Sequence, residues 1–154
     1  MQLKWACHGL SAKLIVMKIF VITVLLSALT FVSTHSSFQE VVLSGKWDNY
    51  SRWTTLEGDW KILKTVEGFE IVMDENFEAE EAPDLKIFLS KAVLDDITSK
   101  NATSLGSPVL VAQLKVYKGK ASYKIPSSID INGFKTMIIH CEEYGKLWGG
   151  SALK

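Results

Sequence analysis

Downstream of Gly58 the apolar residues come in short runs, each closed by a glycine, proline or asparagine signal. Such runs are too short for a helical core face and suit strands of a packed sheet. Trp60 to Thr65 reads as one strand. Phe69, Ile71 and Met73 fall on alternate positions, with Glu70 and Asp74 on the others, so a half-buried second strand follows a turn at Glu67-Gly68. Leu85 to Leu89 forms a third, with Pro83 confined to its start. Val109 to Tyr117 is nearly continuous in apolar residues and reads as a central strand buried on both faces. Lys118-Gly119 leads into Ala121 to Ile125, which Pro126 ends. Asn132-Gly133 is a tight-turn signal, followed by strands over Thr136 to Glu142 and Lys146 to Leu153. Between Ser90 and Ser107 the pattern breaks. Val93, Leu94 and Ile97 could form one face of a short helix, and Asn101 to Ser107 reads as loop. The expectation is an all-β domain, a β-sandwich or small barrel of about seven to eight short antiparallel strands.

The N-terminus is of another kind. Ile19 to Val32 is apolar and uncharged; Lys4, Lys13 and Lys18 precede it, and Ser33, Thr34, Ser36 and Ser37 follow it. A basic flank, a short apolar core and a small-residue exit make a secretory signal. The core falls short of the roughly 18 to 20 residues that cross a bilayer. Counted from Met17, the segment has ordinary signal proportions, which makes Met17 a candidate true start. The expected organisation is a signal peptide over residues 1–36, a lead-in over 37–57 and a β domain over 58–154. The chain is then exported, secreted or periplasmic. The alternative is an uncleaved N-terminal membrane anchor reaching back to Leu14, the membrane being touched only there.

Three of the 17 basic residues and none of the 17 acidic ones lie in the signal segment, so the mature domain carries a formal charge of −3. It contains one arginine, Arg52, and no basic stripe with interleaved aromatics, which argues against nucleic-acid binding. The acidic segment Asp74 to Glu81 lacks the spacing and central glycine of a calcium loop and reads as a solvated surface; no metal site is expected. There is no CxxC, HExxH, GxSxG, P-loop or GxGxxG motif. Trp47, Tyr50 and Trp53 either offer a stacking platform or cap the end of the core. Asn49-Tyr50-Ser51 and Asn101-Ala102-Thr103 match the glycosylation tripeptide.

The remaining chemistry rests on one thiol. Cys7 precedes the apolar signal core, so cleavage leaves Cys141 as the one cysteine of the mature protein. In a strand, Met137, Ile139 and Cys141 share one face, while Ile138, His140, Glu142 and Tyr144 share the other. Cys141 continues an apolar row, and apolar burial makes a thiol unreactive. Glu143 comes next on the same face, which puts Cys141 near the rim of the core. Both a reactive thiol and an inert core residue fit. His140 points away from Cys141 and cannot serve it as a base, since nucleophile and base must meet within hydrogen-bond reach; a cysteine protease or acyltransferase is therefore not expected. His140 itself reads as a half-exposed sheet residue.

Three blocks in order carry a family resemblance. Pro83-Asp84-Leu85-Lys86-Ile87-Phe88-Leu89-Ser90 is the first. Gly119 through Tyr123, Ile125 and Pro126, with Ile129-Asp130, is the second. Met137-Ile138-Ile139-His140-Cys141, with Tyr144, Trp148-Gly149 and Leu153, is the third and most specific. From about Gly58 to Leu153 the chain resembles the DM13 family of extracellular β-rich modules, also called electron transfer DM13 domains. It departs from the pattern at Lys146, where an apolar residue is expected, at Ser151, in place of alanine, and at His140, where tryptophan is frequent. The resemblance implies a redox role for Cys141 beside an extracellular redox partner that carries haem or flavin. His140 is the remote candidate for contact with such a cofactor, and no cofactor is expected in the chain itself. A redox accessory fits better than a stand-alone enzyme. The alternative is a non-catalytic extracellular binding or scaffold sandwich with Cys141 buried and inert.

Overall fold

The computed structural model describes residues 39–154. The expected signal segment, with Met17, Cys7, His8 and His35, lies outside the described residues. Among the described residues the chain is all-β, with two 3-10 turns and no α-helix. The strands are β1 (Glu40–Lys46), β2 (Asp48–Asn49), β3 (Leu56–Glu57), β4 (Asp59–Thr65), β5 (Gly68–Met73) and β6 (Glu78–Ala79), then β7 (Leu85–Ser90), β8 (Val109–Gln113), β9 (Ala121–Ile125), β10 (Thr136–Cys141) and β11 (Lys146–Ala152).

They form a four-stranded sheet in the order β1-β4-β5-β9, a five-stranded sheet in the order β2-β11-β10-β7-β8, and a small β3–β6 pair. Every pairing is antiparallel. No ladder joins the two large sheets, so they make a sandwich and the barrel alternative is not realised. Alternate residues of both sheets meet in one core. Trp60, Ile62, Ile71, Met73 and Ile125 come from one side, and Leu85, Ile87, Leu89, Met137 and Ile139 from the other. Trp47 caps this core. Its ring lies 6.4 Å from that of Trp60 and 6.5 Å from that of Phe77, and its indole N–H donates to Met73 Sδ at 3.2 Å. Tyr50 and Trp53, its neighbours in sequence, are exposed.

The strand expectations over residues 60–65, 69–73, 85–89, 121–125, 136–142 and 146–153 correspond to β4, β5, β7, β9, β10 and β11. One expectation is corrected. The run Val109 to Tyr117 is not a central strand. β8 stops at Gln113 on the sheet edge, and Leu110 is 46% exposed. Beyond it the amides of Lys115 and Val116 donate to the Tyr123 hydroxyl instead of to a ladder. The strand buried on both faces is β10, because residues 91–107 cover the outer face of its sheet. Phe88, Ile97, Ala102, Ile138 and Leu147 form a second, smaller core there. The short helix expected around Leu94 is a single 3-10 turn, Leu94–Asp96. Asn132-Gly133 belongs to the other 3-10 turn, Ile131–Gly133, where Asp130 Oδ1 accepts from the Asn132 amide; it carries the chain from one sheet to the other and makes no hairpin. Residues 37–57 supply β1, β2 and β3, so the four-stranded sheet is edged by a strand from this stretch.

Glycine matters most at Gly58, between β3 and β4. Its φ is +108°, and a Cβ there would lie 2.5 Å from Phe77 Cα. Gly68 has φ +130° but open space around it. Gly58→Ala is therefore expected to destabilise the domain by about 2 kcal/mol or more, combining backbone strain with overpacking against main chain, and Gly68→Ala by about 1 kcal/mol from strain alone. Urea unfolding of the two variants checks the order.

Candidate functional site

Cys141 is the last residue of β10, flanked by Leu85 of β7 and Lys146 of β11. It is fully buried in the main core, in the same row as Met137 and Ile139. What closes the site is the segment before β7. Cys141 Sγ–H donates to the Pro83 carbonyl at 2.8 Å, a bond that only the protonated thiol can make. One residue earlier, the Ala82 carbonyl accepts from the Tyr117 hydroxyl at 3.4 Å. The Tyr117 phenol is held above its usual pKa chiefly by burial, with smaller contributions from Glu81, Tyr123 and Cys141.

Asp84 then takes φ +57°, a conformation that aspartate tolerates better than most residues. This turn lets the Asp84 carbonyl accept the Glu142 amide at 3.2 Å. It also brings Asp84 Oδ2 to 3.1 Å from Lys86 Nζ, which bonds the Glu142 carboxylate as well. The two carboxylates hold the Lys86 ammonium above its usual pKa, Glu142 contributing most. The clasp Asp84–Lys86–Glu142 therefore pins the segment that covers the thiol to the strand that carries it.

His140 lies on the opposite face from Cys141, as strand alternation requires. The expected half-exposure is corrected: His140 is 3% exposed. The 91–107 segment roofs this face, and the imidazole and the Phe88 ring stand nearly perpendicular, their centroids 6.5 Å apart. Its Nδ1 is buried without a hydrogen-bond partner. Burial holds its pKa below the ordinary 6.5, opposed by the nearby Glu142 carboxylate. His140 and Cys141 thus do not form a dyad.

The sequence reading did not single out Lys86 and Glu142, which the structure places beside the segment covering Cys141. Their one signal was a charge inside the apolar strand β7 and another just after the apolar strand β10, and which charges meet depends on the β7–β10 register, set by the whole sheet. The acidic stretch 74–81 is partly tied down: Asp74 pairs with Lys61 and Glu78 with Lys118, both at 2.8 Å. Among the described residues no three His, Cys, Asp or Glu side chains gather into a metal-binding group.

The family described as Electron transfer DM13 matches residues 47–152. The chain belongs to that family. The match takes in Trp47, Cys141 and every strand of the five-stranded sheet. No curated protein and no solved structure matches the chain. Membership supports a redox role for the DM13 domain in the broad sense of electron transfer, consistent with a redox partner.

A folded-state pKa below the unfolded one means that the unfolded chain binds a proton which folded His140 refuses. Stability then falls as pH drops below about 6.5, before the carboxylates titrate. Urea midpoints measured at about pH 7.5 and 5.5 should show this loss in the wild-type DM13 domain and a much smaller one in His140→Leu.

Proposed function

We propose that this DM13 domain is an exported electron-transfer accessory that works through Cys141, gated by the Pro83–Asp84 segment. The observation that carries the proposal is the placement of the thiol. It is the one cysteine among the described residues, buried at the end of a strand and one residue from exposed Glu142, under a strap tied down by surface charges. Releasing the strap frees the sulfur without dismantling the core.

The chemistry that suits a lone thiol is exchange with a disulfide of a partner protein. The Cys141 thiolate attacks one partner sulfur, a Cys141–partner disulfide forms, the partner S–S bond breaks, and the other partner sulfur leaves as thiolate. A thiol of a second, dithiol-bearing partner then attacks Cys141 Sγ, releasing the first partner as a dithiol. The remaining thiol of the second partner attacks its own sulfur in the new mixed disulfide, which forms that partner's disulfide, frees the Cys141 thiolate and completes a two-electron transfer from dithiol to disulfide. Haem or flavin, in this scheme, belongs to the partner. The signal-type segment would deliver the domain to a compartment where disulfides persist.

A second reading has its own support. Full burial and the thiol–carbonyl hydrogen bond suit an inert core cysteine in a binding or scaffold sandwich.

Alkylation of Cys141 in the folded protein separates the two. On the gated reading wild-type labels slowly, yet faster than global unfolding allows, and Lys86→Met labels several-fold faster by loosening the strap. Labelling that tracks the global unfolding rate in both proteins would remove the redox role of Cys141 and leave the scaffold reading. Export is checked separately. The mature protein recovered from outside the cytoplasm should begin near residue 37, and a retained N-terminus would mean an anchor instead.

A further inference from the structure

The clasp that ties down the strap over Cys141 shares a sheet face with a buried histidine. His140 of β10 is the cross-strand partner of Lys86 of β7, and such partners project on one side of a sheet. Glu142 comes two residues after His140, and its carboxylate bonds Lys86 Nζ on that side. Asp84 Oδ2 holds the same ammonium at 3.1 Å. The imidazole therefore stands beside the two groups whose ion pair keeps the strap shut.

A charged His140 has no place in this arrangement. An imidazolium carries an N–H on both ring nitrogens, yet Nδ1 is buried and meets no acceptor. The charged groups around the ring are few. Lys86 faces it from β7, with Asp84 behind, and Glu142 from the end of its own strand. From β11 its cross-strand neighbour is the apolar Leu147. The charged residues of the cover, Lys91, Asp95, Asp96 and Lys100, are all exposed. Glu142 is the one charged group that favours a proton on His140, and burial outweighs it in the closed fold. That carboxylate is already committed to Lys86.

We propose that His140 is the acid sensor of the strap: when the imidazole takes up a proton, the imidazolium draws the Glu142 carboxylate away from Lys86, the clasp parts, and the Pro83–Asp84 segment lifts from Cys141. This gives the site proposed above its regulation and rests on that reading for its purpose, although the switch itself needs no reactive thiol. Acid favours opening because the open form binds a proton that the closed form refuses. The window lies below about pH 6.5, where an ordinary histidine titrates, and above the carboxylate range near about pH 4. One linked proton can shift the opening equilibrium by at most about tenfold between pH 7.5 and 5.5.

The test is amide hydrogen exchange of the full 15N-labelled chain at those two pH values, read as protection factors so that the intrinsic pH dependence cancels. The Glu142 amide, which donates to the Asp84 carbonyl, reports the strap. The Leu147 amide, which donates to Ser99 Oγ, reports the cover, and the Ile71 amide in the opposite sheet reports global unfolding. Wild-type Glu142 should start less protected than Ile71 and lose protection several-fold at pH 5.5, with Leu147 changing by less than about twofold. His140→Leu and His140→Gln should abolish the change at Glu142. In Lys86→Met the Glu142 amide should be poorly protected at both pH values, because no ammonium remains for the histidine to displace. Constant protection of Glu142 in wild type, an equal fall in both His140 variants, loss at Leu147 in place of Glu142, or a Glu142 amide that follows Ile71 would each overturn the proposal. The readout is a backbone amide, so the two readings fail separately. A pH-sensitive Glu142 amide with Cys141 labelling only on global unfolding removes the redox role alone, and fast labelling with a constant Glu142 amide removes the switch alone.

Discussion

Burial of β10 on both faces is the constraint on which the rest of this structure depends. All six of its residues are buried. One row, with Met137, Ile139 and Cys141, enters the core between the sheets. The other, with Ile138 and His140, needs a second cover, which residues 91–107 provide. A sandwich needs only the first of these layers. The second explains why an irregular stretch as long as 91–107 is held close to the sheet. Ser90 and Thr136 hydroxyls donate to the Leu105 and Ala92 carbonyls at 2.9 and 2.8 Å, and Ser99 Oγ accepts the Leu147 amide at 3.0 Å. The candidate chemistry follows from this strand, whose last residue is the thiol.

The strands themselves were legible wherever a run of apolar residues was closed by its own turn signal. β4 and β5 read directly, because alternation and the glycine at residue 68 are local features. The same holds for β9, between Gly119 and Pro126. What misled was the Val109–Tyr117 run, where composition alone suggested a central strand. Position in a sheet is decided by pairing, and the Tyr123 hydroxyl, on the next strand, takes the amides that would have continued the ladder. His140 was misjudged for a related reason. Its strand neighbours gave its face correctly, but the cover over that face comes from a loop with no periodic signal.

The candidate site was half legible. Cys141 stood out as an unpaired cysteine on an apolar row, which favoured burial, while Glu143 set it near the rim; in the structure it is fully buried. The clasp did not stand out. Asp84, Lys86 and Glu142 are ordinary surface charges in sequence, and only the β7–β10 register brings them together. The tryptophans divide in the same way. Trp47 was grouped with exposed Tyr50 and Trp53 by proximity in sequence, although its packing against Trp60 and Phe77 makes it part of the core.

The β-bulges have a consequence for how copies of this domain meet. An open sheet edge is a template for another chain to pair with. β1 is interrupted where Val42 drops out of register, β8 where Val111 does, and β2 is only two residues long. A kinked or very short edge offers an incoming strand no continuous row of amides and carbonyls. β9, the remaining edge of the four-stranded sheet, carries Lys124 in an ion pair with Glu67 and lies beside β8. In a domain whose regular structure is almost wholly strand, within a chain with nearly half its residues hydrophobic, such irregular margins disfavour edge-to-edge association.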